Sequence, residues 1–402
     1  MKPLVCLMTA LVLLMGSVRA RAAADKGPHP DAPPEVLRNA NRTVEIGTIE
    51  GTPYRIDVPA NWNHALIVFF HGYSETPVIF RTAAPLSEQL QPLVDRGYAV
   101  AQSAYSTTGW ALAEAFPETE KLRLYFVEHY AKPAQGKAAK TMETYVAGFS
   151  MGGALVAATL EQNPKPYAGG LDMCGSVGPA DLNFQRRFAW RAAFDFYYPN
   201  LLPPLVPAPL EFRENRDLRQ RVEAALYSSP SAAAALKNLT GMRNEHELAS
   251  EMVYFTFVLA DMARRAGGNP YDNRNYLYSG TSTQSSTPDN LLNDGVHRYA
   301  ADPRARGYLI RHYTPTGRLG RPMLALHTTY DDKVPLQQLA IYGEQVALAG
   351  ASDNLVQQYV HRDGHCTFTQ EEIGHTFDEL VLWVHANKRP VPGLLPTPSV
   401  VR

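Results

Sequence analysis

Continuous apolar runs alternate along this chain with helical patterns, and that alternation limits the fold more than any other feature. The runs are "ALIVFFHGY" (65–73), "GYAVAQSAY" (97–105), "TYVAGFS" (144–150), "YAGGLDMCG" (167–175), "RPMLALHTTYDD" (321–332) and "LVQQYVHRDGH" (355–365). Between and after them lie "PLSEQLQPLVDR", "ETEKLRLYFVEHYA", "GGALVAATLEQ", "PLQQLAIYGEQVALAG" and "EEIGHTFDELVLWVHAN", which read as helices. An unbroken apolar run fits a strand buried on both faces. Strands alternating with helices predict an α/β fold: a doubly wound, mostly parallel sheet covered on both sides. Ahead of the first run, "RTVEIGTIEG" and "TPYRIDVP" alternate apolar and polar residues around Gly51, the pattern of an antiparallel hairpin.

One long segment breaks the alternation. Residues 181–315 carry the aromatic cluster "FDFYYP", the proline-rich "LLPPLVPAP" and the polar "YLYSGTSTQSSTPDN", with no strand-like run. They are expected to form a helical insertion between two strands, placed as a lid over the site. The core is then expected over 43–180 and 316–388, with an extended tail at 389–402.

The N-terminal end reads differently. "MKPLVCLMTALVLLMGSVRARAAAD" has an early Lys, an apolar stretch from Leu4 to Met15, and small residues at Ala20, Ala22 and Ala23. That is the layout of a secretory signal peptide, expected over 1–22, and the apolar stretch is short of the roughly 20 residues of a membrane span. A proline-rich leader, 23–42, follows. The expected protein is exported, to the periplasm or the medium, with no membrane span in the mature chain. The charge balance, 38 Lys+Arg against 39 Asp+Glu with no long run of one sign, gives no groove for nucleic acid.

The chemistry centres on "VAGFSMGGAL" (146–155). A G-x-S-x-G match is a weak signal alone. Here Ser150 stands where an apolar run ends and a small-residue helix begins, the context a nucleophile elbow requires. Such a serine needs a base and a group that orients the base. In this sheet type they come from loops at the carboxyl ends of later strands. "HTTYDDKVP" offers Asp331 or Asp332, and "HRDGHC" offers His365, in the order Ser, Asp, His. An oxyanion hole is expected from the backbone N–H of Met151 and from the loop after the first apolar run, at Gly72 or Tyr73. His71 is read as shaping that loop. Tyr105 and Trp110, after another strand's carboxyl end, are candidate pocket-lining residues.

These residues carry a resemblance. "HGY", "GFSMGG", "DDKVP" and "DGHC" resemble the α/β-hydrolases, over about residues 43–388. "GYAVAQSAYSTTGWAL", "MCGSVG", "YTPTGRLGRPMLALHTTYDDKVP" and "GHCTFTQEE" are similar to exported bacterial esterases and prolyl-oligopeptidase-like hydrolases. The resemblance implies serine-hydrolase chemistry without metal or organic cofactor. It selects Asp331 over Asp332, because the acid of that pattern stands three residues before Val-Pro. The HG motif lacks the extended glycine run of the HGGG type.

Ester hydrolysis of a small-molecule or oligomeric substrate is the first expectation. A prolyl-oligopeptidase-like peptidase is the alternative, disfavoured because the residues before 43 leave no room for the propeller such enzymes usually carry. A non-catalytic binding protein of this fold fits poorly with a complete triad. Cys174 and Cys366 both fall at the carboxyl edge of the sheet, either bridged or as two buried thiols. A metal cluster of His361, Asp363 and Cys366 is disfavoured, since those residues cross from strand to loop and share no helix face.

Overall fold

A computed structural model describes residues 33–131, 142–213 and 215–395; the expected signal peptide lies outside the described residues. The chain forms a ten-stranded sheet in the order β1-β2-β3-β5-β4-β6-β7-β8-β9-β10. The strands β1 (Glu35–Arg38), β2 (Arg42–Ile49) and β3 (Thr52–Pro59) are antiparallel, and β3 pairs antiparallel with β5 (Ala99–Ser103). From there β4 (Leu66–Phe70), β6 (Thr144–Phe149), β7 (Gly169–Met173), β8 (Met323–Tyr330), β9 (Leu355–Asp363) and β10 (Gly393–Leu394) continue in parallel.

The side-chain period of two sorts each central strand between two cores. Leu66, Val68 and Phe70 of β4 enter one core, with α2 (Leu112–Tyr130), α3 (Met151–Gln162) and α10 (Gln337–Leu348). Ile67 and Phe69 enter the other, under α1 (Gln91–Asp95) and α11 (Gln370–Ala386). Burial on both faces is why these strands show apolar runs without alternation.

Three departures from the sequence expectation have local causes. The helix expected over 85–96 is confined to Gln91–Asp95, with Pro92 in its first turn, where the missing N–H would have no helical acceptor. Glu35–Arg38, read as leader, adds an edge strand; at four residues it is too short to show a period. In the tail, Gly393–Leu394 pairs with Gln358 and Tyr359 on the opposite edge.

Between β7 and β8 the described residues contain no strand. They fold as α4 (Ala180–Tyr197), α5 (Arg216–Ser228), α6 (Pro230–Thr240), α7 (Glu245–Ala266), α8 (Thr287–Gly295) and α9 (Pro303–Arg311). Their aromatic residues, Phe184, Phe188, Phe194 and Phe255 among them, are buried and continuous with the core of the sheet's first face. No helix among the described residues is long and apolar enough to cross a membrane.

Candidate active site

Ser150 follows β6 directly and caps α3 from a backbone at φ 56°, ψ −117°. A positive φ costs a non-glycine residue free energy, on the order of 1–3 kcal/mol, and persists only where the surroundings hold it. Here the Ser150 N–H donates to Met173 O at 3.0 Å, while its carbonyl accepts from Gly153 and Ser176, each at 3.0 Å. Close packing shapes the turn as well. A Cβ on Gly152 would stand 2.1 Å from Phe70 O, so only glycine lets α3 approach the end of β4. The loop after β4 comes equally near, since a Cβ on Gly72 would lie 3.3 Å from Ser150 Cβ and 3.9 Å from its Oγ. Gly72 and the start of α3 at Met151 therefore both adjoin the serine.

The other two candidates meet across β8 and β9. His365 Nδ1 lies 2.7 Å from Asp331 Oδ2. The second oxygen of Asp331 accepts the N–H groups of Lys333 (2.9 Å) and Val334 (2.8 Å), which fixes the carboxylate on the turn after β8. Asp332 faces elsewhere, 3.7 Å from Lys333 Nζ, and partial burial raises its pKa. Of the two aspartates, Asp331 meets the histidine. Beneath it, buried His327 has Nδ1 2.9 Å from Thr328 O and Nε2 3.7 Å from Asp331 Oδ2; burial lowers its pKa.

The His365 loop is held at three points. Gly364 N–H donates to Tyr330 O at 2.8 Å. Downstream, Thr369 and Glu372 form a capping box at the start of α11, and Arg362 grips the same Glu372 at 2.6 and 2.9 Å. Cys366 is disulfide-bonded to Cys174, with Cα atoms 5.4 Å apart. Cys174 follows Met173, whose carbonyl receives the Ser150 N–H, so the bridge ties the histidine loop to the strand end behind the serine. Cys366 Sγ stands 3.5 Å from His365 Nε2. Among the described residues no hydrogen bond joins Ser150 Oγ to His365. Catalytic hydrogen bonds are often long without substrate and tighten when it binds.

His71 stacks on Tyr105, ring centroids 3.9 Å apart, with its Nδ1 2.7 Å from Gly72 O; Tyr105 Oη donates to His71 O at 3.2 Å. Burial lowers the His71 pKa. Tyr105 is thus a support beneath the loop. Trp110 is buried too, its backbone N–H on Asp261 Oδ2 at 2.9 Å and its indole N–H on His312 O at 3.0 Å. The grouping of His361, Asp363 and Cys366 is not assembled: Asp363 pairs with Arg243 and Cys366 is in the disulfide.

Sequence reasoning missed the part played by α7. Glu247 and Glu251, one turn apart, accept Tyr330 Oη and Lys333 Nζ from the loop that carries Asp331. Farther along α7, Asp261 accepts Tyr73 Oη at 3.3 Å and the Trp110 N–H. One helix therefore spans from the loop of Asp331 to the loop of Gly72 and Tyr73. The i, i+4 spacing of Glu247 and Glu251 was visible, but spacing names no partner. Beneath the serine helix lies another unread residue. Asp172 on β7 is fully buried, neither oxygen has a hydrogen bond of good geometry, and burial pushes its pKa up to about 8.

No family model matches the chain, and no curated protein matches it either. Solved structures do. An acylaminoacyl peptidase from Pyrococcus horikoshii is 11% identical at a TM-score of 0.43, with 87% of this chain covered. The chain spans only 41% of that peptidase's length. An esterase from Aspergillus oryzae is 12% identical at 0.46, covering 87% of this chain and 80% of its own. The rice cell wall degrading esterase LipA from Xanthomonas oryzae is 14% identical at 0.40, covering 90% and 99%. These likenesses are too distant to speak for chemistry, and strand order decides the fold. An antiparallel hairpin leads into a parallel sheet whose β5 and β4 are swapped in space, and a serine stands on the strand-to-helix turn after β6: this is the α/β-hydrolase fold.

Proposed function

We propose that the protein is an exported serine hydrolase that cleaves carboxylic esters through Ser150, His365 and Asp331. The observation that carries this reading is the 2.7 Å contact between His365 Nδ1 and Asp331 Oδ2, on a loop that the Cys174–Cys366 disulfide ties to the strand end receiving the N–H of Ser150, itself held at positive φ. An acid on Nδ1 sets the tautomer, leaving Nε2 free of its proton to take one from Ser150 Oγ. The alkoxide then attacks the ester carbonyl. The tetrahedral oxyanion is received by the N–H of Met151, at the positive end of α3, and by the Gly72–Tyr73 backbone. His365 returns its proton to the leaving alcohol, and a water activated by the same nitrogen releases the acid from Ser150. Asp331 orients the ring throughout, its own carboxylate fixed by the Lys333 and Val334 N–H groups.

The helical insertion acts in this reading as a lid. Its α7 is tied to the acid's loop through Glu247 and Glu251 and to the oxyanion loop through Asp261. Export is supported by the apolar N-terminal stretch and by the Cys174–Cys366 disulfide, a bond that persists in oxidising compartments. Intact-mass labelling with a fluorophosphonate tests the chemistry. A single adduct is expected on the wild type and none on Ser150→Ala. A folded wild type that takes no adduct, with or without the insertion's contacts to the sheet weakened by Glu247→Gln, refutes the reading.

A further inference from the structure

Among the described residues, buried arginines mostly stand beside carboxylates; the neighbours Arg186, whose Nε is buried without an acceptor, and Arg187 do not. Arg55 contacts Asp57 at 2.7 Å, Arg191 pairs with Asp195, and the buried side chain of Arg265 lies 3.4 Å from both Glu114 and Asp261. Arg187 on α4 is only 5% exposed, yet no carboxylate among the described residues lies within ion-pair distance of it. A guanidinium keeps its charge at neutral pH, and an uncompensated buried charge is costly. A protein that retains one without a counter-ion leaves a place for an anion to arrive.

The surroundings say where that anion would sit. One Nη donates to Lys333 O at 2.6 Å, on the loop that carries Asp331. The guanidinium carbon lies 5.8 and 5.4 Å from the ring centroids of Phe184 and Phe255. Next to Phe255 on α7, Tyr254 packs on Tyr73 with ring centroids 6.2 Å apart, so the contacts of Arg187 link it to the Asp331 loop through Lys333 and, by way of α7, to the loop of Gly72 and Tyr73. Asp331 is not its partner: its oxygens meet His365 and the Lys333 and Val334 N–H groups, and neither comes within ion-pair distance of Arg187. The other N–H groups of Arg187 find no acceptor among the described residues, and none of them is sealed from solvent. A planar fork with free donors, walled by two phenyl rings, fits a carboxylate held bidentately beside an apolar chain.

We infer that Arg187 forms an anion subsite of the Ser150 site, and that the natural substrate is an ester bearing a free carboxylate on its acyl or its alcohol part. This rests on the ester-hydrolase reading above. The carboxylate would neutralise Arg187 as it binds, and Arg187 would hold the ester in one orientation between the oxyanion loop and His365.

The test compares matched esters after correction for spontaneous hydrolysis. 4-Nitrophenyl hydrogen adipate and 4-nitrophenyl hexanoate have six-carbon acyl chains ending in a carboxylate or a methyl. 3-Carboxyphenyl butyrate and phenyl butyrate place the same contrast on the leaving group. In at least one pair the wild type is expected to favour the carboxylate by about ten-fold or more in kcat/KM. That ratio should fall about ten- to hundred-fold in Arg187→Gln, the usual range for one charge-assisted hydrogen-bonded contact, mostly through KM. Arg187→Lys should retain part of it. A purely structural arginine would lower both members of a pair and leave the ratio alone. A wild-type ratio at or below one in both pairs overturns the subsite and needs no variant. If no ester is cleaved, fluorophosphonate labelling tells whether the serine-hydrolase reading has failed. The subsite is then judged by calorimetry on Ser150→Ala: monomethyl adipate should bind more tightly than methyl hexanoate, with an affinity that falls as salt rises. Equal or absent binding overturns it.

Discussion

Asp172 converts burial into a pH dependence that can be worked from the structure. Its carboxyl is fully buried on β7, packed against the first turn of α3, with no well-formed hydrogen bond to either oxygen. The native pKa stands at about 8, against roughly 3.9 in an unfolded chain. Between those values the native state holds a proton that the unfolded state has released. Stability must therefore fall as pH rises, by about 1.4 kcal/mol per unit at most for this one group. Across the whole window the ceiling is on the order of 5 kcal/mol, reduced by any water that reaches the site. Asp172→Asn removes the titration while keeping the shape. It leaves a buried amide whose cost, about 1–3 kcal/mol, does not vary with pH. Urea unfolding of both proteins at pH 5.5, 6.5, 7.5 and 8.5 isolates the effect. The difference between them should move in the mutant's favour by up to about 1.4 kcal/mol per unit until near pH 8, then level off. Parallel profiles would refute the reasoning and mean that Asp172 is ionised in the native state.

Three further outcomes follow from the site. Asp331→Asn keeps the loop but loses the tautomer control of His365, so kcat on an activated ester should fall by about 10³–10⁴ while the melting temperature moves little. Cys174→Ala with Cys366→Ala opens a bridge across a sequence separation of 192 residues; unfolding should need about 2–5 kcal/mol less, and a reductant should produce the same loss in the wild type. Gly152→Ala drives a methyl to 2.1 Å from Phe70 O, a backbone atom that cannot swing aside; the variant should be destabilised by more than about 2 kcal/mol and lose fluorophosphonate labelling.

Much of this molecule was readable before any coordinate. Apolar runs of strand length could satisfy their backbones and bury both faces only as central strands, and the structure places strands on every one of them. The turn that carries Ser150 could be read from context, since a strand end, a glycine-flanked turn and a small-residue helix are all local features. The order Ser, Asp, His could also be read, because strand order along the chain decides which loops reach the same edge.

What stayed hidden depends on contacts between residues far apart in sequence. The resemblance favoured Asp331 over Asp332 without a physical reason; that reason is which way a carboxylate turns on one loop, and the turn's own N–H groups decide it. The bridging of Cys174 and Cys366 rests on a Cα separation that no spacing of 192 residues reveals. The roles of Arg187, Glu251 and Asp261 come from the packing of a helical insertion onto the sheet. Sequence by itself determined the α/β layering and the line of candidate chemistry, because period and chain order are local. Only tertiary structure decided which charges are matched and which buried cations lack a carboxylate, because electrostatic pairing is set by distances in space.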